Sequence, residues 1–329
     1  MDYTLMMKAI ALISGGLDSI LAASLVKKQG IEVVGLKFKI PFCSNKHKGV
    51  SDFGIEIKEA DICDDFLEMI KKPNYGYGSN MNPCLDCKIL MLRKAGELME
   101  KYNAKFIVTG EVLGQRPMSQ HKKALAAITK RSGLEGLILR PLSARLLEET
   151  IPEKEGWIKR DALLNFSGRG RKQQIGLARD FGIKEYAQPA GGCLLTDSGF
   201  SGRLKDLMEH EGLDRDSVEL LKLGRHFRLN DTAKIIVGRD KRENEQLLSM
   251  AAPDDYLFMP TDKLAGPTSL GRGDFNKELI SLSCAITCSY CDIDGISAAD
   301  IIYRRISEKE DRILRIAPIE ENKLLSIKI

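Results

Sequence analysis

Six consecutive residues near the start of the chain, Ser14-Gly15-Gly16-Leu17-Asp18-Ser19, have the types and spacing to hold a phosphorylated ligand. Before them, Lys8-Ala9-Ile10-Ala11-Leu12-Ile13 reads as a buried strand, and residues 20–28 read as a helix closed by Gly30. A strand, a Gly-rich turn and a helix aim backbone N–H groups and a helix N-terminus at an anion. Gly15 and Gly16 let the backbone approach a phosphate closely, and the hydroxyls of Ser14 and Ser19 add donors. Asp18 would repel that phosphate unless Mg²⁺ stood between them, so a metal-bound phosphate is expected. The spacing is not that of a Walker loop, which needs a Lys-Ser/Thr pair after the second Gly. A structural turn that happens to contain Asp and Ser is the plain alternative.

Three cysteines form a second chemical set. Cys84-Leu85-Asp86-Cys87 follows Pro83, a residue suited to a first helical turn, and opens an amphipathic helix running to about residue 102. Cys193 stands alone after Gly191-Gly192, over a hundred residues later. Three thiolates are one short of the four that close a structural zinc or iron–sulfur site. In a 4Fe-4S cluster, Cys84, Cys87 and Cys193 would leave one iron free for an exogenous hydrosulfide. Without metal, one of them could carry a persulfide and another resolve it as a disulfide. A zinc completed by a fourth residue is the third reading. Cys43 and Cys63 lack close partners of ligand type and read as ordinary thiols. Cys284, Cys288 and Cys291 have the spacing of a radical-chemistry cluster motif, but the 38 residues after Cys291 are too few for the barrel it requires. Alternation would instead put Cys284, Ile286 and Cys288 on one face of a core strand.

Strands alternating with helices must position these groups, which implies an α/β domain with a doubly wound, mainly parallel sheet over residues 1–200. Lys37 and Phe38 end the second strand, at the carboxyl edge where open α/β sheets bind ligands. A smaller α+β domain is expected over residues 201–329. A chain of 329 residues with 43% apolar and 29% charged residues suits two such domains. The apolar runs are too short for a membrane span, and no secretory signal is read at the start. Eight cysteines without such a signal point to the cytoplasm, where thiols serve metals or catalysis.

Charge divides unevenly. Residues 1–200 carry 30 Lys and Arg against 23 Asp and Glu, whereas residues 201–329 carry 20 against 23. The basic excess sits between residues 115 and 175 and includes Arg116, Lys122, Lys123, Arg169, Arg171 and Lys172, which are read as phosphate contacts to RNA. A solvated helical face is the alternative.

The Ser-Gly-Gly-x-Asp-Ser segment resembles the PP-loop of ATP pyrophosphatases, which cleave ATP to AMP and pyrophosphate. Thr109-Gly110-Glu111, Gly114-Gln115, Ser119-Gln120 and Arg140-Pro141-Leu142 follow in the order of the PP-loop domain of tRNA 4-thiouridine synthetases. Asn82-Pro83-Cys84-x-x-Cys87 is similar to the segment in tRNA 2-thiouridine synthetases and iron–sulfur-dependent thiolases. The resemblance covers about residues 7–195. It implies ATP and Mg²⁺ on Ser14, Gly15, Gly16, Asp18, Ser19, Thr109, Gly110 and Gln115, with Cys84, Cys193 and Asp18 in catalytic roles. The implied reaction adenylates a uridine carbonyl of tRNA and replaces its oxygen by sulfur from sulfide or a persulfide carrier, leaving open a homodimer. Two other readings compete: a PP-loop ligase or amidotransferase acting on a small carboxylate, and a non-catalytic nucleotide-dependent RNA-binding protein. In the second domain, Val237-Gly238-Arg239, Asn244 and Gly266-Pro267 resemble the RNA-binding domain of NFACT-type proteins.

Overall fold

The computed structural model describes residues 7–42, 54–186, 193–292 and 297–329. The chain forms two compact units, Met1–Thr196 and Asp197–Ile329. Cys43 lies outside the described residues, as does the Gly191-Gly192 pair.

The first unit begins with β1 (Lys8–Leu12), α1 (Leu17–Lys27), β2 (Glu32–Lys39), β3 (Glu56–Asp61), α2 (Cys63–Lys71) and α3 (Cys84–Glu97). It continues with β4 (Phe106–Val108), α4 (Lys122–Ser132), β5 (Ile138–Leu139), α5 (Ile151–Lys154) and α6 (Lys172–Asp180). The five strands are parallel, in the order β3-β2-β1-β4-β5. Alternation along β1 divides the core. Ala9 and Ala11 face a cluster that includes Leu17, Ile20 and Leu21 of α1 and Ala178 of α6. Ile10 and Leu12 face Ile89 and Leu92 of α3 and Ile128 of α4. A sheet covered on both faces is the doubly wound arrangement that the alternating elements predict.

The second unit contains α7 (Ser198–His210), α8 (Arg215–Leu220), β6 (Arg225–Arg228), β7 (Ala233–Val237), α9 (Lys241–Ser249) and β8 (Tyr256–Pro260). It ends with β9 (Ser269–Gly273), α10 (Lys277–Cys288), β10 (Ala299–Arg305), β11 (Arg312–Ile316) and α11 (Glu321–Ser326). Its sheet is antiparallel, ordered β11-β10-β8-β9-β7-β6. The segment from Cys284 onward corrects the expectation of a strand, because Cys284 and Cys288 lie on the helix α10. At i and i+4, Cys284 and Cys288 share one face of α10, and with Cys291, three residues past its end, they enter the core beside Phe227 and Phe258. Burial pushes the Cys284 and Cys291 thiols up to about 12, so both stay protonated.

Candidate nucleotide and sulfur site

The Gly-rich turn lies where β1 ends, with neighbours β2 and β4 on opposite sides. Such a reversal of strand order opens a crevice at the carboxyl edge of a parallel sheet. Gly15 has φ +79°, a conformation that an L side chain rarely takes, and Gly16 caps α1. The turn is held by its own hydroxyls. Ser19 Oγ donates to Gly16 O at 2.7 Å, and the long bonds Ser14 N to Ser19 Oγ (3.3 Å) and Gly16 N to Ser14 Oγ (3.4 Å) complete it. Phosphate oxygens would offer these two N–H groups shorter partners. Asp18 sits in the first turn of α1, where the helix dipole favours a carboxylate.

A second segment closes over the turn. Gly110 packs against the start of α1 so tightly that a methyl group there would strike the backbone of Asp18 and Ser19. Gln115 Nε2 donates to Asp18 Oδ2 at 3.0 Å. Beneath this segment lies a buried ion pair: Arg140 Nε donates to Glu111 Oε2 at 3.0 Å, and Thr109 Oγ1 to the same oxygen at 3.2 Å. Burial pushes the Glu111 carboxyl up, but the charges of Arg140 and Lys88 outweigh it and hold Glu111 below its ordinary range. Sequence reasoning placed Thr109, Gly110 and Gln115 at the site but did not pair Glu111 with Arg140, a contact 29 positions apart.

Asp18 Oδ1 is buried and accepts no hydrogen bond among the described residues. A buried carboxylate oxygen that accepts no hydrogen bond fits a divalent cation. Lys37 and Phe38 are less directly engaged: Lys37 pairs with Glu59 at 3.0 Å, and Phe38 packs into the α3–α4 side of the core.

The thiols are carried by two segments that meet. Asp86, between Cys84 and Cys87, is buried and accepts Asn74 N at 3.1 Å and Tyr75 N at 2.9 Å, which fastens the loop of residues 73–83 to α3. From that loop, Asn80 Nδ2 reaches Thr196 O at 2.8 Å. Thr196 Oγ1 in turn donates to Cys193 O at 2.8 Å, and Leu194 N donates to Phe42 O. Cys84, Cys87 and Cys193 are all half-buried. Three thiols suit a cluster chemically, yet no three His, Cys, Asp or Glu among the described residues stand close enough together to hold a metal.

The six basic residues separate into two groups. Arg116, Lys122, Lys123, Arg169 and Lys172 are exposed, whereas Arg171 is half-buried and turned toward Asp18, with Nη2 3.7 Å from Oδ1. Other members of the basic region are committed elsewhere, Arg140 to Glu111 and Arg160 to Glu149 and Glu153.

A doubly wound parallel sheet, a Ser-Gly-Gly-x-Asp-Ser turn at its strand reversal and a Thr-Gly-Glu segment across it define the first unit as a PP-loop α/β domain. More particularly, the family model described as "Thiamine biosynthesis protein (ThiI)" matches residues 5–151, within this unit. A second model, "NFACT protein RNA binding domain", matches residues 224–326. The chain is 31% identical over 156 residues to a probable tRNA sulfurtransferase of Thermococcus kodakarensis, covering 44% of this chain and 39% of that protein. It is 32% identical over 120 residues to a tRNA-specific 2-thiouridylase of Sulfurimonas denitrificans, covering 32% and 35%. The chain thus spans less than two-fifths of the length of these two curated relatives. Among solved structures, a 4-thiouridine synthetase–RNA complex with bound ATP aligns with a TM-score of 0.35 at 20% identity, over 54% of this chain and 51% of that one.

Proposed function

We propose that this protein is an ATP-dependent sulfurtransferase that thiolates a uridine of tRNA. The observation that carries the reading is the Asp18 carboxylate, held by Gln115 at the mouth of the Gly-rich turn with one oxygen left for a cation. Ser14, Gly15, Gly16 and Ser19 would bind the phosphates of ATP, and Asp18 would hold the Mg²⁺ that neutralises them. A carbonyl oxygen is a poor leaving group. Attack of the uridine oxygen on the α-phosphorus forms an O–P bond and releases pyrophosphate. A sulfur nucleophile then adds to the activated ring carbon, and AMP departs with the oxygen.

Cys84, Cys87 and Cys193 are the thiols we assign to sulfur handling, supplied by sulfide or a persulfide carrier. Drawn together from the arrangement described here, they would present three ligands to a 4Fe-4S cluster. Arg116, Lys122, Lys123, Arg169 and Lys172 would contact tRNA phosphates. In support, Lys122 and Lys123 begin α4, and Lys172 begins α6, where the positive helix end disfavours a cation unless an anion is present. The second unit, which matches an RNA-binding domain model, would make RNA contacts of its own.

The test is product analysis with the full chain, Mg·ATP, tRNA and sulfide. AMP, pyrophosphate and a thiolated nucleoside in the digested tRNA are expected. ADP and inorganic phosphate, or turnover indifferent to tRNA, would overturn the proposal.

A further inference from the structure

Two charged groups in the candidate site are left incompletely bonded and face one another. Asp18 gives Oδ2 to Gln115, but its buried Oδ1 accepts no hydrogen bond among the described residues. Arg171 Nη2 stands 3.7 Å from that oxygen, beyond hydrogen-bond length, and Arg171 Nε is likewise buried without a partner. A guanidinium and a carboxylate that merely wanted each other would close to a short, paired contact. These two form a long ion pair with no hydrogen bond between them.

The turn carrying Arg171 is fastened to the segment that carries Gln115. Gly168 N donates to Leu113 O at 2.8 Å. Ser143 Oγ accepts from Leu113 N at 2.9 Å and donates to Phe166 O at 2.7 Å. Arg171 then caps α6 and is only about one-fifth exposed, unlike its neighbours Arg169 and Lys172. Its place in the fold is the wall of the nucleotide site.

We propose that Arg171 is a phosphate-binding residue of that site, exchanging Asp18 for a metal-bound polyphosphate when nucleotide enters. The inference rests on the reading of the site as one for Mg·ATP. Among the described residues Asp18 Oδ1 lacks a close ligand and Arg171 Nε lacks a hydrogen-bond acceptor, and the 3.7 Å ion pair between the two side chains satisfies neither. A triphosphate carrying Mg²⁺ supplies both at once. The planar fork of Arg fits two phosphate oxygens as the compact charge of Lys does not. In the free protein Arg171 offsets part of the Asp18 charge; with the metal in place it is repelled from that position and attracted to the phosphates.

Isothermal titration with Mg·ATP, and tRNA binding at fixed salt, are measured for the full chain and for Arg171→Gln and Arg171→Lys. Arg171→Gln should weaken Mg·ATP at least about tenfold, the scale of a lost hydrogen bond between charged groups, with tRNA affinity within about twofold of wild type. Arg171→Lys should fall between. Binding of Mn²⁺ alone, followed by electron paramagnetic resonance, should strengthen in Arg171→Gln because Asp18 has lost its competing cation. Mg·ATP affinity within twofold of wild type in both variants overturns the inference. Weakened tRNA binding with unchanged Mg·ATP binding also overturns it and returns Arg171 to the RNA surface. Failure of the wild-type chain to bind Mg·ATP at all would remove the ATP reading beneath it, a result distinct from either.

Discussion

Asn80 Nδ2 donates to the carbonyl oxygen of Thr196 at 2.8 Å, joining positions 116 residues apart. That bond ties the loop leading into Cys84 to the short turn that carries Cys193. Asn80 has φ +55°, so Asn80→Gly keeps the backbone relaxed while deleting the amide. An exposed neutral hydrogen bond is worth about 1 kcal/mol, so thiouridine formation should fall about two- to tenfold. Pyrophosphate release, which depends on the Gly-rich turn, should stay within about twofold. Parallel loss of both rates would show that Asn80 acts on the whole unit.

Asp18→Asn should abolish Mg·ATP turnover without unfolding the chain. Asn retains an acceptor for Gln115 but removes the charge that a cation requires. Thermal melting without ligand should move by no more than about 2 °C, and the stabilisation that Mg·ATP gives the wild type should disappear. A variant still stabilised by Mg·ATP would move the metal away from Asp18.

The exposed pair Arg169 and Lys172 offers a charge-counting test for RNA. Replacing both with Ala should reduce the slope of log affinity for tRNA against log salt by about 1.5, since each lost phosphate contact releases fewer counterions. Mg·ATP binding should be unchanged. An unaltered slope would leave both residues as a solvated face.

His226 gives the second unit a sensitivity to mild acid. It is buried in β6, and its Nε2 lies 2.8 Å from Leu223 O. Burial, with Arg203 and Lys234 nearby, lowers it from 6.5 to about 3. Because the folded value is depressed, the unfolded chain takes the proton first. The stability of the neutral ring is complete above pH 6.5 and is lost as pH falls towards 3, by about 1.4 kcal/mol per pH unit. Urea unfolding read by proteolysis of second-unit fragments at pH 7.5 and 5 should show the loss. His226→Gln should show a smaller difference between the two pH values, and an equal difference would assign the sensitivity to other groups.

What could be read in the sequence was local. The strand, Gly-rich turn and helix around Asp18 occupy consecutive residues, so the order and spacing of residue types revealed them. Cys84 and Cys87 were legible at a helix start for the same reason. Side-chain direction was not legible: Arg169, Arg171 and Lys172 look alike as a run, yet only Arg171 turns toward Asp18. Pairings across the chain, Glu111 with Arg140 and Asn80 with Thr196, leave no mark on either partner's neighbourhood. The Cys284–Cys291 stretch misled because a short apolar run satisfies strand alternation and a buried helix equally. Strands β8 to β11 went unread, although the aromatic and aliphatic run from Tyr256 to Met259 is a recognisable strand signal.

The central position of β1 bears on how the protein is made. Its partner β4 begins at Phe106, almost a hundred residues later, and the backbone that presses on Asp18 and Ser19 comes from Gly110. A chain growing from its N-terminus therefore displays the Gly-rich turn long before the wall that completes it has been synthesised. Until Gln115 has left the ribosome, Asp18 has no partner to set its rotamer, and the nascent chain should be blind to ATP. Competence to bind nucleotide would then arise late and abruptly during translation, as the non-local strand pairing closes.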